Sequence, residues 1–237
     1  VKPEDDMKLL IIGGGPSGLS AAYYLQQMGH QCTVFEQRSH LGGMLYYGIP
    51  NYRLPKDRLM EDISNILATG VEVRFNTSIG DDDGQLSFKM LRENYDAVYV
   101  AIGAHTDKKL GIPGEDAKGV VSAVQMLREI GEGNPPDFTG KNVIVVGGGN
   151  VAMDATRSAI RLGANNVSVL YRRRKADMTA LEEEIEAAIA EGAEILELHA
   201  PKEIETNEEG HVTAMVADPK IIGLISGGRP MPAESNR

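Results

Sequence analysis

Residues 9–18 read LLIIGGGPSG, and residues 143–152 repeat the pattern as VIVVGGGNVA. Each stretch is a short apolar run followed by GxGxx(G/A), and each leads into a helical pattern. Such a stretch predicts a strand buried in a parallel sheet, a tight glycine turn and a helix. The two copies therefore predict an α/β fold with two Rossmann-like units, each a central parallel sheet in a three-layer arrangement.

The glycines of the first copy have separate roles in this fold. Gly13 permits the tight turn, Gly15 lets the backbone approach a pyrophosphate, and Gly18 lets the helix pack closely on the strand. The N-terminus of the helix that follows supplies free N–H groups and positive potential for phosphates. The third position of the second copy is Ala152, a replacement that the pattern tolerates.

The two copies differ at the tip of their second strand. Glu36 lies 23 residues past Gly13, whereas the second copy has Tyr171, Arg172 and Arg173 at the matching place. A carboxylate accepts hydrogen bonds from ribose hydroxyls, and guanidinium groups bind a 2′-phosphate bidentately. The contrast predicts two different dinucleotides on one chain, with NADPH favoured over NADH in the second site. Two dinucleotides side by side predict hydride transfer between them.

Each copy also has a simpler interpretation. The first could be a glycine turn with a surface acid, and residues 172–175 could be a solvated basic loop or a nucleic-acid patch. The spacing from Gly13 to Glu36 and the order of strand, turn and helix favour a dinucleotide. The net charge of −10 disfavours nucleic acid and anionic lipid as partners.

Composition excludes several other kinds of site. Cys32 is the sole cysteine among 237 residues, so the chain holds no intrachain disulfide, no CxxC pair and no iron–sulfur cluster of its own. The five histidines lack metal-ligand spacing. No apolar run reaches the roughly 18 residues that span a bilayer. We expect no bound metal, no membrane contact and a cytoplasmic location.

The rest of the pattern gives the domain boundaries. Residues 8–12 and 96–102 predict buried strands. Glycine and proline at residues 111–116 mark a crossing between domains, so we expect one domain over residues 1–112 and a second over residues 113–237. The end of the second domain, residues 227–237, has the composition of a loop.

Further stretches carry a family resemblance. They are GGMLYYGIPNYRLP at residues 42–55, DAVYVAIGA at 96–104, GIPGE at 111–115 and GGGNVAMD at 147–154. Together with LLIIGGGPSG and the Tyr-Arg-Arg at the second strand tip, they resemble the small (β) subunit of glutamate synthase and its relatives. Those relatives include the NADPH-binding flavin half of dihydropyrimidine dehydrogenase and the large subunit of NADH-dependent ferredoxin:NADP oxidoreductase. The resemblance covers nearly the whole chain.

The resemblance implies FAD in residues 1–112 and NADPH in residues 113–237. The residues that would hold the FAD pyrophosphate are Gly13, Gly15, Pro16, Ser17 and Gly18. Those that would bracket its adenosine are Glu36, Gln37 and Arg38. Those that would lie towards the flavin are Gly43, Met44, Leu45 and Arg53. Val73 would touch the adenine, and Ala101, Gly103 and Ala104 would lie near the pyrophosphate. NADPH would be held by Gly147, Gly149, Asn150, Val151, Ala152, Arg172 and Arg173.

The sequence departs from the family pattern in two places. Members usually carry an N-terminal helical domain with cysteine-ligated iron–sulfur clusters, which this sequence lacks. Their FAD domain also resumes after the NADPH domain with a final Gly-Asp segment beside the flavin, and this sequence ends before that return. We therefore expect a fragment of a longer protein, with a FAD domain that is incomplete at its C-terminal return.

Three functions follow from these observations. The leading hypothesis is a FAD-dependent NADPH oxidoreductase module that transfers hydride between NADPH and FAD. Its electrons would pass to or from an iron–sulfur partner, such as the glutamate synthase large subunit or ferredoxin. The alternative is a non-catalytic nucleotide-binding or docking module of a larger electron-transfer complex. A disulfide reductase of the thioredoxin-reductase type shares the two-domain plan, but Cys32 alone provides no dithiol.

Overall fold

A computed structural model describes residues 7–80 and 82–235 of the chain. Contacts between residues divide the protein into two compact units, with the division between His105 and Thr106. This division precedes the domain boundary expected after residue 112. The first unit therefore contains the first glycine loop, and the second unit contains the second.

The first unit alternates strands and helices. Its strands are β1 (Lys8–Ile12), β2 (Gln31–Phe35), β3 (Glu72–Arg74) and β4 (Ala97–Val100). Its helices are α1 (Pro16–Gln27), α2 (Met44–Tyr47), α3 (Lys56–Leu67) and α4 (Phe88–Asn94). The strands form one parallel sheet in the order β3-β2-β1-β4. This order brings the ends of β1, β2 and β4 together at the first glycine loop.

Both faces of this sheet are covered, as the continuous apolar run of β1 predicts. Leu9 and Ile11 point to the face where α1 and α3 pack, in a cluster that includes Val34. Leu10 points to the opposite face and packs with Leu91 of α4. The unit is therefore a three-layer α/β body, as expected.

The expectation of a buried strand at residues 96–102 was wrong in part. Strand β4 is shorter, and the exposed fractions of Tyr99, Val100 and Ile102 are 44%, 55% and 61%. The reason is position, because β4 pairs with β1 on one side and with no strand of the described chain on the other. An apolar run alone does not distinguish an edge strand from a central one.

The second unit contains two sheets. Its helices are α5 (Ala123–Gly131), α6 (Asn150–Arg161) and α7 (Glu182–Ala190), with a 3-10 turn at Lys175–Asp177. Its parallel sheet is formed by β5 (Asn142–Val146), β6 (Asn166–Tyr171) and β7 (Glu194–Glu197), in that order. An antiparallel sheet follows, formed by β8 (His199–Thr206), β9 (Val212–Ser226) and β10 (Arg229–Glu234). The core of the unit lies where α6 and α7 pack on the parallel sheet through Met153, Val169 and Ile185.

The expectation of a loop at residues 227–237 was wrong over most of its length. Gly227 and Gly228 form a tight turn, both with positive φ, and Arg229 pairs with Ser226 across it. The chain then returns along β9 as strand β10. Two glycines between paired strands are a common hairpin signal, which the proline-rich composition of the segment obscured. Residues 236–237 lie outside the described residues. No helix in the described ranges is long and apolar enough to cross a membrane.

Candidate functional site

The first glycine loop, residues 13–18, is shaped by two close backbone approaches. Gly13 has a φ of +106°, and a Cβ on it would lie 2.4 Å from the carbonyl oxygen of Ala101. A Cβ on Gly18 would lie 1.9 Å from the carbonyl oxygen of Gly13. Both contacts involve backbone atoms, which cannot move without distorting the sheet. The fold itself therefore requires glycine at these two positions.

Gly15 and Gly149 are glycines that neither conformation nor packing requires. Their φ values are −80° and −102°, in the extended region that any residue adopts. A Cβ on Gly15 would lie 3.7 Å from the Cα of Gly43, and a Cβ on Gly149 would lie 3.6 Å from Thr179 Oγ1. Both are ordinary van der Waals distances. What a side chain would fill at each position is the space in front of a helix, where the backbone can approach a pyrophosphate.

The two helices that follow begin without protein caps. Gly15 is the N-cap of α1 and Gly149 is the N-cap of α6, and neither helix start has a side-chain cap or an acidic residue in its first turn. The first N–H groups of a helix have no partner within the helix, and they carry partial positive charge. Each glycine loop therefore presents an electropositive backbone surface that suits a phosphate group.

Glu36 lies at the tip of β2 and is buried against the first glycine loop. Its Oε2 accepts a hydrogen bond from the Gly14 N–H at 2.8 Å, and its Oε1 accepts one from the Arg38 N–H at 2.9 Å. These bonds hold the carboxylate beside the loop rather than in solvent. Because an ionised carboxylate has acceptor capacity for about four hydrogen bonds, Glu36 retains capacity for ribose hydroxyls.

The corresponding tip of β6, residues 171–177, holds a phenol where the first unit holds a carboxylate. The Tyr171 ring packs behind Gly148, where a Cβ would lie 2.6 Å from a ring carbon. Its hydroxyl donates to the carbonyl oxygen of Asp177 at 2.9 Å. The Arg174 guanidinium bonds both carboxylate oxygens of Asp177, and it holds the pKa of that carboxyl below its ordinary value. The acid in this loop is thus neutralised locally.

The two predicted phosphate ligands differ in exposure. Arg172 is exposed and has no bonded partner in the described part of the chain. Arg173 is 8% exposed, and its Nε donates to the carbonyl oxygen of Pro230 at 2.6 Å. Arg173 is thus partly engaged by β10, while Arg172 is open to solvent.

Other predicted residues of the second glycine loop lie on α6. Asn150 accepts a hydrogen bond from the Leu181 N–H at 2.9 Å, which connects the loop to the start of α7. Val151 is exposed, whereas Ala152 is buried with its Cβ facing Gly147. The second loop thus carries a methyl group at the position where, in the first loop, a Cβ on Gly18 would lie 1.9 Å from the carbonyl oxygen of Gly13.

Several predicted residues surround the first glycine loop. Gly43 faces it, since a Cβ on Gly43 would lie 2.8 Å from the Cα of Gly15. Ala101 follows β4 and donates its N–H to the carbonyl of Ile12 at 2.8 Å. Ser17 lies within 3.0 Å of the Tyr99 hydroxyl on β4. The predicted residues that the structure brings together at this loop are Gly13, Gly15, Pro16, Ser17, Gly18, Glu36, Gly43 and Ala101.

The remaining predicted residues lie on neighbouring segments. Leu45 is on α2, and its carbonyl accepts a hydrogen bond from Lys56 Nζ at 2.8 Å. The Arg38 guanidinium stacks over the Tyr47 ring at 5.2 Å. Val73 lies in β3, in register with Val34. The other positions are Gln37, which is exposed after β2, Met44 at the start of α2, Arg53 in the turn before α3, and Gly103 and Ala104, exposed beyond β4.

Comparison with known proteins agrees with this geometry. The family model described as pyridine nucleotide-disulphide oxidoreductase matches residues 7–223. The chain belongs to this family. The match spans both glycine loops, and it confirms the α/β oxidoreductase fold and the family resemblance that the motifs predict.

Two relatives at higher identity are named as a subunit and as a small chain. The NADP(+)-dependent formate dehydrogenase subunit beta of Moorella thermoacetica is 46% identical over 187 residues, covering 78% of this chain and 26% of its own length. The glutamate synthase [NADPH] small chain of Escherichia coli is 34% identical over 218 residues, covering 88% of this chain and 46% of its own length. The chain therefore spans between about a quarter and a half of these two relatives.

A solved structure shares the fold at low sequence identity. FprA of Mycobacterium tuberculosis in complex with NADPH superposes with a TM-score of 0.82 and 19% identity. The superposition covers 98% of this chain and 68% of FprA. At this identity the similarity concerns the fold alone.

The disulphide in the family description has no counterpart in this chain. Cys32 is the sole cysteine, and it is fully buried in β2. Burial raises the pKa of the Cys32 thiol to about 11, so the thiolate that reacts with disulfides is scarce near neutral pH. Within the described residues no group of acidic, histidine or cysteine side chains has a metal-binding arrangement.

Motif analysis missed three contributions to the site. The middle glycine of each loop contacts the residue at its strand tip: Gly14 packs against Leu41 and donates its N–H to Glu36, and Gly148 packs against the Tyr171 ring. Tyr99 reaches Ser17 from the edge strand. Arg229 reaches the tip of β6 from β10. The middle glycines were visible as GGG triplets in both copies, but no local signal connects Tyr99 or Arg229 to the loops.

Proposed function

We propose that this chain is the hydride-transfer module of a FAD-dependent NADPH oxidoreductase. One observation carries the proposal: Gly15 and Gly149 are glycines that the fold does not require, and each leaves the start of an uncapped helix open. The chain has two such open helix starts, with an acid, Glu36, at one strand tip and arginines at the other. This arrangement suits two different dinucleotides. When bound, NADPH would supply the hydride and FAD would accept it, so the protein would contribute binding and orientation.

FAD is the dinucleotide proposed for the first domain, residues 1–112. The first glycine loop would bind its pyrophosphate through backbone N–H groups, and Glu36 would accept hydrogen bonds from its ribose hydroxyls. Glu36 suits that role because its carboxylate is already fixed beside the loop by the Gly14 and Arg38 N–H groups. Gly43 would leave room beside Gly15 for the same ligand.

NADPH is the dinucleotide proposed for the second domain, residues 113–237. The second glycine loop would bind its pyrophosphate at the start of α6. A 2′-phosphate would be repelled by a carboxylate at the tip of β6, and Tyr171 occupies the place that Glu36 has in the first unit. Arg172 and Arg173 would supply the positive charge that distinguishes NADPH from NADH.

The electrons would then leave through a partner. A single cysteine cannot ligate an iron–sulfur cluster, so an iron–sulfur acceptor for these electrons would draw its ligands from elsewhere. The related proteins named as a formate dehydrogenase subunit and a glutamate synthase small chain support a subunit role. We propose an iron–sulfur subunit or domain, of the type of the glutamate synthase large subunit or ferredoxin, as that partner. The chain also spans less than half the length of these two relatives, which supports a place within a longer protein or complex.

The visible spectrum of the purified chain tests this proposal. We expect flavin absorption bands that bleach when NADPH is added without oxygen. A colourless protein that binds NADPH tightly would favour the non-catalytic docking module instead. A protein that binds neither cofactor, tested also with added FAD, would contradict both functions.

A further inference from the structure

Hairpin β9–β10 brings a third arginine to the tip of β6. Arg229 is the first residue of β10, and its Nη2 donates to the Tyr171 hydroxyl at 3.2 Å and to the Asp177 carbonyl at 2.6 Å. Both acceptors belong to residues 171–177, the segment that follows the second strand of the βαβ unit. Arg229 therefore lies where the fold places the adenosine ribose of a dinucleotide.

The position of Arg229 is fixed from two sides. Its backbone pairs with Ser226 in the antiparallel sheet. The next residue, Pro230, accepts a hydrogen bond from the Arg173 Nε at 2.6 Å, and Arg173 Nη2 contacts Met231 Sδ at 3.8 Å. Arg173 thus ties β10 to the tip of β6. A guanidinium held in this way loses little conformational freedom when it binds a ligand.

The charges of these arginines have no counter-charge of their own. Arg229 bonds a phenol and a carbonyl, and Arg173 bonds a carbonyl and a thioether, which are all neutral groups. Neither forms an ion pair within residues 7–80 and 82–235. Of the acids near this tip, Asp177 is already bonded by Arg174 at 2.9 Å, and Glu197 accepts the Lys175 N–H at 2.6 Å. Guanidinium groups that are partly buried without a carboxylate favour the binding of an anion.

The donors that remain on Arg229 match a phosphate. Its Nη2 is used by Tyr171 and Asp177, which leaves Nε and Nη1 without partners among the described residues. These two nitrogens lie on different sides of the planar guanidinium, and each can donate a charge-assisted hydrogen bond to a phosphate oxygen. The Tyr171 ring lies between Gly148 and the Arg229 guanidinium, which connects the arginine to the glycine loop.

We propose that Arg229 is a specificity-determining residue that binds the 2′-phosphate of NADPH together with Arg172. In this arrangement Arg173 adds its positive charge from behind and also positions β10, because its Nε bonds the Pro230 carbonyl. The inference rests on the proposed binding of NADPH to the second domain. It adds that recognition of the 2′-phosphate depends on a strand that lies more than fifty residues beyond the motif.

Isothermal titration of the 237-residue chain tests this inference. Wild-type protein, Arg229→Gln and the control Arg58→Gln are titrated with NADPH, NADH, 2′,5′-ADP and 5′-AMP. Arg58 is an exposed arginine on α3 of the other unit, so its variant has the same change of charge away from the proposed site. Circular dichroism verifies that each variant is folded. Arg229→Lys serves as the second variant, because it keeps the charge without the planar fork.

We expect Arg229→Gln to weaken NADPH and 2′,5′-ADP by about 10- to 100-fold, the effect of one charge-assisted hydrogen-bonded pair. NADH and 5′-AMP should keep their wild-type affinities, Arg58→Gln should bind as wild type, and Arg229→Lys should fall between wild type and Arg229→Gln. Equal weakening of NADPH and NADH by Arg229→Gln and Arg229→Lys, or no weakening at all, overturns the inference. Wild-type protein that binds none of the four nucleotides overturns the proposed NADPH site as well, so the two failures are distinguishable.

Discussion

The two glycine loops share a sequence pattern but differ in how tightly the protein packs around them. In the first loop, a Cβ on Gly18 would lie 1.9 Å from a backbone oxygen, whereas the second loop has the methyl group of Ala152 at the same position. Behind the middle glycine, the first loop has the Leu41 side chain and the Glu36 carboxylate, and the second has the Tyr171 ring. The backbone pattern thus specifies a dinucleotide loop, and the neighbours of each glycine specify how the loop is built.

The largest effect is expected from adding a methyl group to the tighter loop. Gly18→Ala forces the first turn of α1 away from Gly13, and it should destabilise the first unit by about 2–4 kcal/mol. The reciprocal change, Ala152→Gly, removes a methyl group from a helix and should cost only about 1 kcal/mol. Hydrogen exchange of peptides from β1 and α1, compared with β5 and α6, measures each unit separately. Equal protection losses in the two variants would show that the loops are packed alike.

A smaller effect is expected at the strand tips. Glu36→Gln replaces a carboxylate that accepts two N–H hydrogen bonds, and it should lower the stability of the first unit by about 1–2 kcal/mol. Tyr171→Phe removes the hydroxyl that donates to Asp177 and accepts from Arg229 Nη2. Because Arg229 Nη2 keeps its bond to the Asp177 carbonyl, the change should cost only about 1 kcal/mol in the second unit. Urea unfolding followed by hydrogen exchange compares the two. A larger loss of stability in Tyr171→Phe than in Glu36→Gln would contradict the expectation that the Glu36 carboxylate stabilises its unit more than the Tyr171 hydroxyl does.

The two units should also differ in their response to acid. Helix α1 contains no charged residue, whereas Arg157 and Arg161 of α6 bond Glu191 after α7 and hold its pKa below the ordinary value of 4.5. A carboxyl with a lower pKa in the folded state stabilises the fold above its unfolded pKa, and that stability is lost as pH falls through the folded pKa. We expect α6 peptides to lose protection below about pH 4.5, and Glu191→Gln to lose less. An unchanged pH response in that variant would assign the acid sensitivity to other groups.

The smallest effect on stability is expected where the glycine is not required by the fold. Gly15→Ala and Gly149→Ala should leave the melting temperature nearly unchanged, because each φ suits alanine and the reduced freedom of the unfolded chain offsets the poorer N-cap. Both should nevertheless weaken binding of a dinucleotide at their own loop. Thermal unfolding without ligand, together with FAD and NADPH titrations, separates the two effects. Substantial destabilisation of the ligand-free protein would mean that these glycines serve the fold.

The local part of this fold was predictable, because it depends on short-range patterns. The apolar run of residues 8–12 predicted β1, and the glycine turn after it predicted the start of α1. Positive φ values at Gly13 and Gly147 agree with the tight turns that the motif requires. The edge position of β4 was not predictable, since an apolar strand looks the same in sequence whether it has one neighbour or two.

The sequence by itself determined the α/β class, the two βαβ units and the family, because periodicity and glycine spacing encode backbone conformation within a few residues. Only the tertiary structure decided which side chains meet. Glu36 contacts Gly14 from 22 residues away, and Arg229 contacts Tyr171 from 58 residues away. Such contacts depend on sheet order and hairpin register, which bring distant segments together through packing. No local pattern specifies them, and the role proposed for Arg229 at the tip of β6 rests on such a contact.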